Sequence, residues 1–193
     1  MVRPAAETRG IRCVALNAAD RFTPESLGDS TGVTIRAIRP DDRERIVKAF
    51  RALDLRSVYL RFFFHKKELS GEELQRLCEP DRGREVVLVA MIGSGNQETI
   101  VGLGHYVRSS ASAEIAFMVD EEYQGRGIAS SLLQHLAHIA RENGILQFEA
   151  DVLAENTRAL DVLQHSGLRA DVRVSDSIVH VTLFLGDALT GPD

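Results

Sequence analysis

The chain has 193 residues, 44% of them hydrophobic, enough to fill one core of ordinary domain size. Its 23 lysines and arginines against 28 aspartates and glutamates leave a formal net charge of −5, which disfavours a mainly nucleic-acid-binding surface. The longest stretch free of Lys, Arg, Asp and Glu, 127–140, contains Ser130, Ser131, Gln134, His135 and His138 and is too short and too polar to span a bilayer. Residues 1–10 lead into no continuous apolar run of the kind an export signal needs. The two cysteines, Cys13 and Cys78, have no nearby companions, so free thiols in a cytoplasmic protein are expected.

Residues 1–31 read as a partly irregular extension, with one short apolar run at 13–16 fit for an edge strand. From Val33 the pattern sharpens: Val33, Ile35 and Ala37 alternate with Thr34, Arg36 and Ile38, which predicts a strand with one buried face. Pro40, Asp41 and Asp42 then open a helix. Leu55, Val58, Tyr59, Phe62 and Phe63 follow the i, i+3, i+4, i+7, i+8 spacing of a second helix with one apolar stripe. Ser70-Gly71-Glu72-Glu73 has the capping-box spacing for a third.

Two β-prone runs, 86–92 and 100–107, flank Gly93-Ser94-Gly95-Asn96 and predict a hairpin. A strand at 113–119, a helix at 128–141, a strand at 146–152, a helix at 156–165 and paired strands at 168–174 and 178–185 complete the pattern. The class is α+β (mixed α/β), one domain from 32 to 186 with a short tail at 187–193.

The most informative segment is Gln124-Gly125-Arg126-Gly127-Ile128-Ala129, between a strand and an amphipathic helix. Two glycines and a small residue permit close backbone approach, and the free N–H groups of a helix start carry partial positive charge. A pyrophosphate suits such a place, and Arg126 adds a full charge; an ordinary glycine-rich turn is the bland alternative. Ser130 stands where a Rossmann loop needs its third glycine, and no Gly-Lys-Ser/Thr follows, so a dinucleotide site is weakened and a Walker loop excluded.

These residues resemble the acetyl-CoA loop Gln/Arg-x-x-Gly-x-Gly/Ala of the Gcn5-related N-acetyltransferases. The resemblance extends to Ala113-Glu114-Ile115-Ala116-Phe117, to Asn156-Thr157-Arg158-Ala159 and to Gly167-Leu168, covering 33 to about 185. It implies a strongly twisted mixed sheet of six to seven strands flanked by helices, splayed between its fourth and fifth strands, with the pantetheine arm of acetyl-CoA in the gap. It implies acyl transfer from acetyl-CoA, as cosubstrate, to an amine, without a metal. Within the family, Arg56-Ser57-Val58-Tyr59-Leu60-Arg61-Phe62-Phe63 resembles the domain fused to cyclic-nucleotide-binding or acyl-CoA-synthetase modules in bacterial protein lysine acetyltransferases. Neither module is legible in this sequence, so a protein lysine is a lead beside small-molecule amines.

An amine attacks a thioester only as the free base, so a group must accept a proton. Glu114 is the first choice for this general base: it shares a strand face with Ala116 and Met118, opposite Ile115, Phe117 and Val119, and a carboxylate on a strand apolar on both faces is costly unless paired or used. A salt bridge to His105 or Arg108 is its alternative role, and Glu149 is the second candidate base, through a water. The N–H groups of Met118 and Val119 are candidates to hold the thioester carbonyl. Gln124, Gly125, Arg126, Gly127, Ile128, Ala129 and Ser130 form the pyrophosphate grip, and by resemblance Asn156 bonds the pantetheine arm, a role compatible with capping a helix.

The family often has a tyrosine seven residues after that asparagine; here Leu163 stands there, so the thiolate leaves unassisted or the protein is a catalytically idle acyl-CoA-binding domain. A nucleotide-binding oxidoreductase is a further, weaker alternative. The stretch 61–67 interleaves aromatics with cations and is assigned to core and an acceptor-site wall rather than to nucleic acid. His135 and His138 are three apart on a helix and, with no carboxylate spaced to join them, are expected on a wet face.

Overall fold

The structure, a computed structural model, describes residues 25–26, 32–62 and 66–186. In chain order the elements are β1 (Glu25–Ser26), β2 (Gly32–Ala37), α1 (Arg43–Ala52), α2 (Leu55–Phe62), α3 (Gly71–Cys78), β3 (Glu85–Ile92), β4 (Thr99–Ser109), β5 (Ser112–Val119), α4 (Ile128–Glu142), β6 (Gln147–Leu153), α5 (Thr157–Gln164), β7 (Arg169–Ser175) and β8 (Ile178–Phe184). They form one mixed sheet in the order β1-β2-β3-β4-β5-β6-β8-β7. Seven strands carry it, and the two-residue β1 extends its edge. The strand expected at 13–16 lies outside the described residues.

All neighbours are antiparallel except β5 and β6, joined by the α4 crossover. That parallel pair is held only at Ser112–Gln147, Ala113–Phe148 and Glu114–Glu149. Beyond Glu114 the strands part, and the expected splay falls here, between the fourth and fifth strands counted from Gly32.

Over its central strands the sheet is buried on both faces. On one side α4 and α5 bury Ile35, Leu88, Ile115 and Phe148 with their own Leu132, Leu136 and Leu163. On the other, α1 and α3 cover Val87, Val89 and Leu103 with Ile46, Leu74 and Cys78. The α3 start is the capping box its sequence predicts: Ser70 Oγ accepts from Glu73 N at 3.2 Å while the Glu73 carboxylate accepts from Ser70 N at 2.8 Å. Lys66 ion-pairs with the same Glu73. Gly102 is required by close approach, since a Cβ there would sit 2.8 Å from Ile128 Cγ2, and its absence seats the α4 N-terminus on β4.

Two expectations are corrected. The strand beginning near Val33 has no open face: Arg36 is only 8% exposed and Ile38 is buried, because α1 and α3 cover the side that alternation leaves for water. Leu55, the first member of the α2 stripe, is 66% exposed, because it sits at the helix start beyond the edge of the covered surface.

Burying Arg36 demands a partner, and Asp42 supplies it. The guanidinium donates to both carboxylate oxygens at 2.6 and 2.7 Å, and Arg39 N and Arg45 complete the carboxylate's shell. Pro40–Asp42 is a short 3-10 turn rather than the first α turn, and it aims the Asp42 side chain back at β2. Burial pushes the Asp42 carboxyl up, but the Arg36 hydrogen bonds, the Arg39 N–H and the Arg36 and Arg45 charges outweigh it and hold it below the usual carboxylate range.

A carboxyl depressed in the folded state contributes stability above its unfolded pKa and loses it as pH falls through its lower folded value. Stability should therefore decline on acidification below the ordinary carboxylate range, and Asp42→Ala should remove that part of the dependence. The same substitution leaves a buried guanidinium unpaired and should cost about 3–5 kcal/mol in urea unfolding at neutral pH.

Candidate functional site

The site is built around the parting of β5 and β6. Direction along β5 is set by two bonds: Asp120 N donates to Val101 O on β4 at 3.0 Å, and Ala111 O accepts from Leu146 N, just before β6, at 2.7 Å. Backbone groups alternate along a strand, so Glu114, Ala116 and Met118 turn their N–H and C=O towards β4, and Ile115, Phe117 and Val119 turn theirs towards β6. Where β6 has diverged, those groups face the gap. The Val119 N–H faces the gap, the Met118 N–H belongs to the β4 ladder, and the Phe117 N–H is the other that faces the gap. Sequence alternation alone shows that two residues apart share a side, but not which side, and the register decides it.

Val119 O is already used: Gln124 Nε2 donates to it at 2.9 Å, and Gln124 Oε1 accepts from Arg158 Nη1 on α5. The Gln124 side chain is thus turned to the protein, and its part in the site is to tie the loop to the end of β5 and the start of α5. Arg158, quoted in the sequence only as part of a pattern, is a site-framing residue that sequence reasoning did not single out. Its place two residues after the Asn156 cap is the signal that puts it over the first turn of α5.

The loop itself has the geometry a phosphate needs. Gly125 and Gly127 have φ of +73° and +92°, in the left-handed region that favours glycine. An added Cβ on either would meet nothing within 4 Å, so both backbones face open space. Gly127 is the N-cap of α4, and as glycine it offers no side chain to the helix start. The bond from Ser131 N to Gly127 O, 2.9 Å, opens the helix, so the N–H groups of Ile128, Ala129 and Ser130 have no intrahelical acceptor. The Ile128 side chain is 1% exposed in the main core, so its contribution is its backbone alone. Arg126 lies over the Tyr123 ring, 5.1 Å from its centroid, which holds a guanidinium beside the α4 N-terminus. The donors, the dipole and Arg126 fit a pyrophosphate.

Asn156 caps α5, accepting from Ala159 N at 3.2 Å through Oδ1. Its amide nitrogen has no partner among the described residues. Leu163 is buried in the main core, with no hydroxyl to give.

Glu114 is exposed, so the desolvation argument for it is corrected: the sheet face it shares with Ala116 and Met118 opens to water beyond the α1 and α3 cover. It has no ion-pair partner among the described residues. Arg108 bonds Ser110 O and Asn143 O instead. Glu149 lies in register beside Glu114 and accepts from Gln147 Nε2 at 2.9 Å. Helix α2 touches both β5 and β6. Phe63, Phe64 and His65 lie outside the described residues.

His138 pairs with Glu142 one turn on, at 3.5 Å, a carboxylate partner the spacing argument overlooked; both are exposed. Among the described residues no group of three or more His, Cys, Asp or Glu could hold a metal ion, and no helix is long and apolar enough to cross a membrane.

A mixed sheet splayed beside a glycine-turned helix start is the framework of an acyl-CoA-dependent transferase. Residues 52–168 match the acetyltransferase (GNAT) family, and the chain belongs to it. It is an acetyltransferase with acetyl-CoA as cosubstrate. It is 29% identical over 160 residues, 81% of this chain and 86% of the relative, to Acetyltransferase PA5475 of Pseudomonas aeruginosa. It is 28% identical over 169 residues to Acetyltransferase Pat of Mycolicibacterium smegmatis, matching 85% of this chain and 50% of that one. The GNAT domain of S. lividans PAT superposes with a TM-score of 0.77 at 32% identity, over 84% of this chain and 96% of that one. YncA of Salmonella typhimurium, solved with its cofactor acetyl-CoA, shares the fold with a TM-score of 0.64 at 19% identity, over 83% of this chain and 98% of that one.

Gly127→Ala forces a side chain into the left-handed region, at about 1–2 kcal/mol of stability, and puts a methyl into the open space before the helix. Calorimetric titration with CoA should show weaker binding at a temperature where the variant is still folded.

Proposed function

We propose that the protein is an N-acetyltransferase that moves an acetyl group to a primary amine by direct attack, with Glu114 as general base. The observation that carries this is the Glu114 carboxylate: solvent-open, without an ion pair among the described residues, and three residues before the Phe117 N–H that faces the gap. Acetyl-CoA, when bound, supplies a thioester carbonyl for the amine to attack. The gap-facing N–H groups of Phe117 and Val119 are placed to hold that arm or its carbonyl oxygen, where negative charge grows during attack. Glu114 takes the proton the amine must lose, directly or through a water, and Glu149 stands beside it as the second carboxylate. The thiolate leaves without a side-chain acid at position 163, consistent with a leaving group whose pKa is near 8.5.

A protein lysine is the acceptor we favour, on the resemblance of 56–63 to protein lysine acetyltransferases and on the open, carboxylate-bearing face beside α2. A catalytically idle acyl-CoA-binding domain is the second reading, favoured by Leu163 alone.

Thermal unfolding in parallel with acetyl-CoA, CoA and NAD tests the coenzyme without a guess about the acceptor. Either CoA ligand at about a hundred times its dissociation constant should add about 2.7 kcal/mol, and NAD nothing. With amine and lysine-peptide acceptors, Glu114→Gln should lower kcat by about 10²–10⁴-fold while leaving the acetyl-CoA midpoint shift unchanged. Wild-type protein that binds acetyl-CoA but acetylates none of these acceptors would instead favour the idle domain.

A further inference from the structure

Strand β7 ends the sheet, and all seven of its residues are exposed. Among the described residues only β8 pairs with it. Val172 and Val174 are 40% and 69% exposed, on the same sheet face as the buried Val181 and Val179 opposite them. The strand holds no proline or lysine, and its three charged side chains, Arg169, Asp171 and Arg173, are of both signs, so the edge is open to a strand of matching charge order.

The register shows which backbone groups this edge offers. Leu185 N donates to Leu146 O and Ala154 N to Ser177 O, so odd-numbered residues of β8 turn towards β6 and even-numbered ones towards β7. Through the pairs Ser175–Ile178, Arg173–His180 and Asp171–Thr182, the odd residues of β7 are the ones bonded to β8. Ala170, Val172 and Val174 therefore turn their N–H and C=O outwards.

We propose that β7 pairs with β7 of a second copy, antiparallel and centred on Val172, joining the two sheets across a two-fold axis. The sequence of the strand is self-complementary in that register. Val172 meets its own counterpart, and Ala170 meets Val174 on either side; all three are outward-turned, so each pair exchanges both backbone bonds. On the opposite face Asp171 meets Arg173 and Arg173 meets Asp171, in the non-hydrogen-bonded positions where side chains are nearest. Within one chain these two already attract, at 3.0 Å, and the two-fold partner offers each a second opposite charge. A register centred between two residues would break the bonding parity, and the nearest registers that preserve it, centred on Asp171 or Arg173, would set like charges opposite each other. The occupant is thus a second copy of this chain, with the apolar faces of the two β7 strands forming one stripe.

Sedimentation velocity of the whole chain over a concentration series tests this. A concentration-dependent dimer is expected. Val172→Pro removes an outward N–H that β8 does not use, so the fold should persist while the dimer dissociation constant rises at least about tenfold. Arg173→Asp sets like charges opposite each other and should also weaken the dimer, and adding Asp171→Arg to it should restore pairing by exchanging the two charges. A chain monomeric at every concentration overturns the proposal, as does a dimer indifferent to Val172→Pro. Circular dichroism and acetyl-CoA thermal shifts, which report the fold and the coenzyme site, should be unchanged in each variant, so failure here is separable from failure of the transferase reading.

Discussion

A sheet satisfies its backbone only where strands run side by side, and β5 and β6 do so for three residues. Past Glu114 the N–H and C=O groups of Phe117 and Val119 have no strand to meet among the described residues. The candidate site is arranged around that interruption. The loop and α4 begin where β5 ends, α5 begins where β6 ends, and Glu114 stands at the last paired position. A ligand arm that runs between the strands takes over the role of a missing neighbour strand, which is why an extended amide-bearing chain such as pantetheine suits the gap.

The remaining freedom at the gap is limited by Gln124. Its amide spends one end on Val119 O and the other on Arg158, so a single side chain joins β5, the loop and α5. The tie also leaves the Val119 N–H as that residue's offer to a ligand. Gly102 works from the opposite direction, by letting Ile128 and the α4 start press close to β4. The loop's donors are thereby held by packing on one side and by hydrogen bonds on the other, which is what a site gains from being built before its ligand arrives.

The two faces of the sheet are used differently. The α4 and α5 side is apolar throughout its centre and carries the glycine-turned 124–130 loop at its rim. On the other side α1 and α3 cover β3 and β4, pinned there by Arg36 and Asp42, whereas Glu114, Glu149, Asp151 and His180 on β5, β6 and β8 are exposed. Carboxylates open to water are accessible to a cationic acceptor from solution. An exposed Glu114 is in this sense better placed for a bulky amine than the buried one that its strand pattern suggests.

Local features were legible in the sequence because their causes are local. The glycines that need positive φ, the Ser70 capping box, the Asn156 cap and the helix start after Gly127 each depend on residues within one turn, and each is found where the spacing puts it. The mixed sheet and its splay were legible through family resemblance rather than through any physical pattern in the residues. Three things only the tertiary structure decided. The β4 register selects Phe117 over Met118 as the gap-facing donor, the α1 and α3 cover buries Arg36 while leaving Glu114 open, and the β8 register turns the backbone groups of Ala170, Val172 and Val174 away from β8. In each case the deciding contact comes from a segment distant in the chain, and alternation along one strand, having period two, cannot say which of its two sides that segment will occupy.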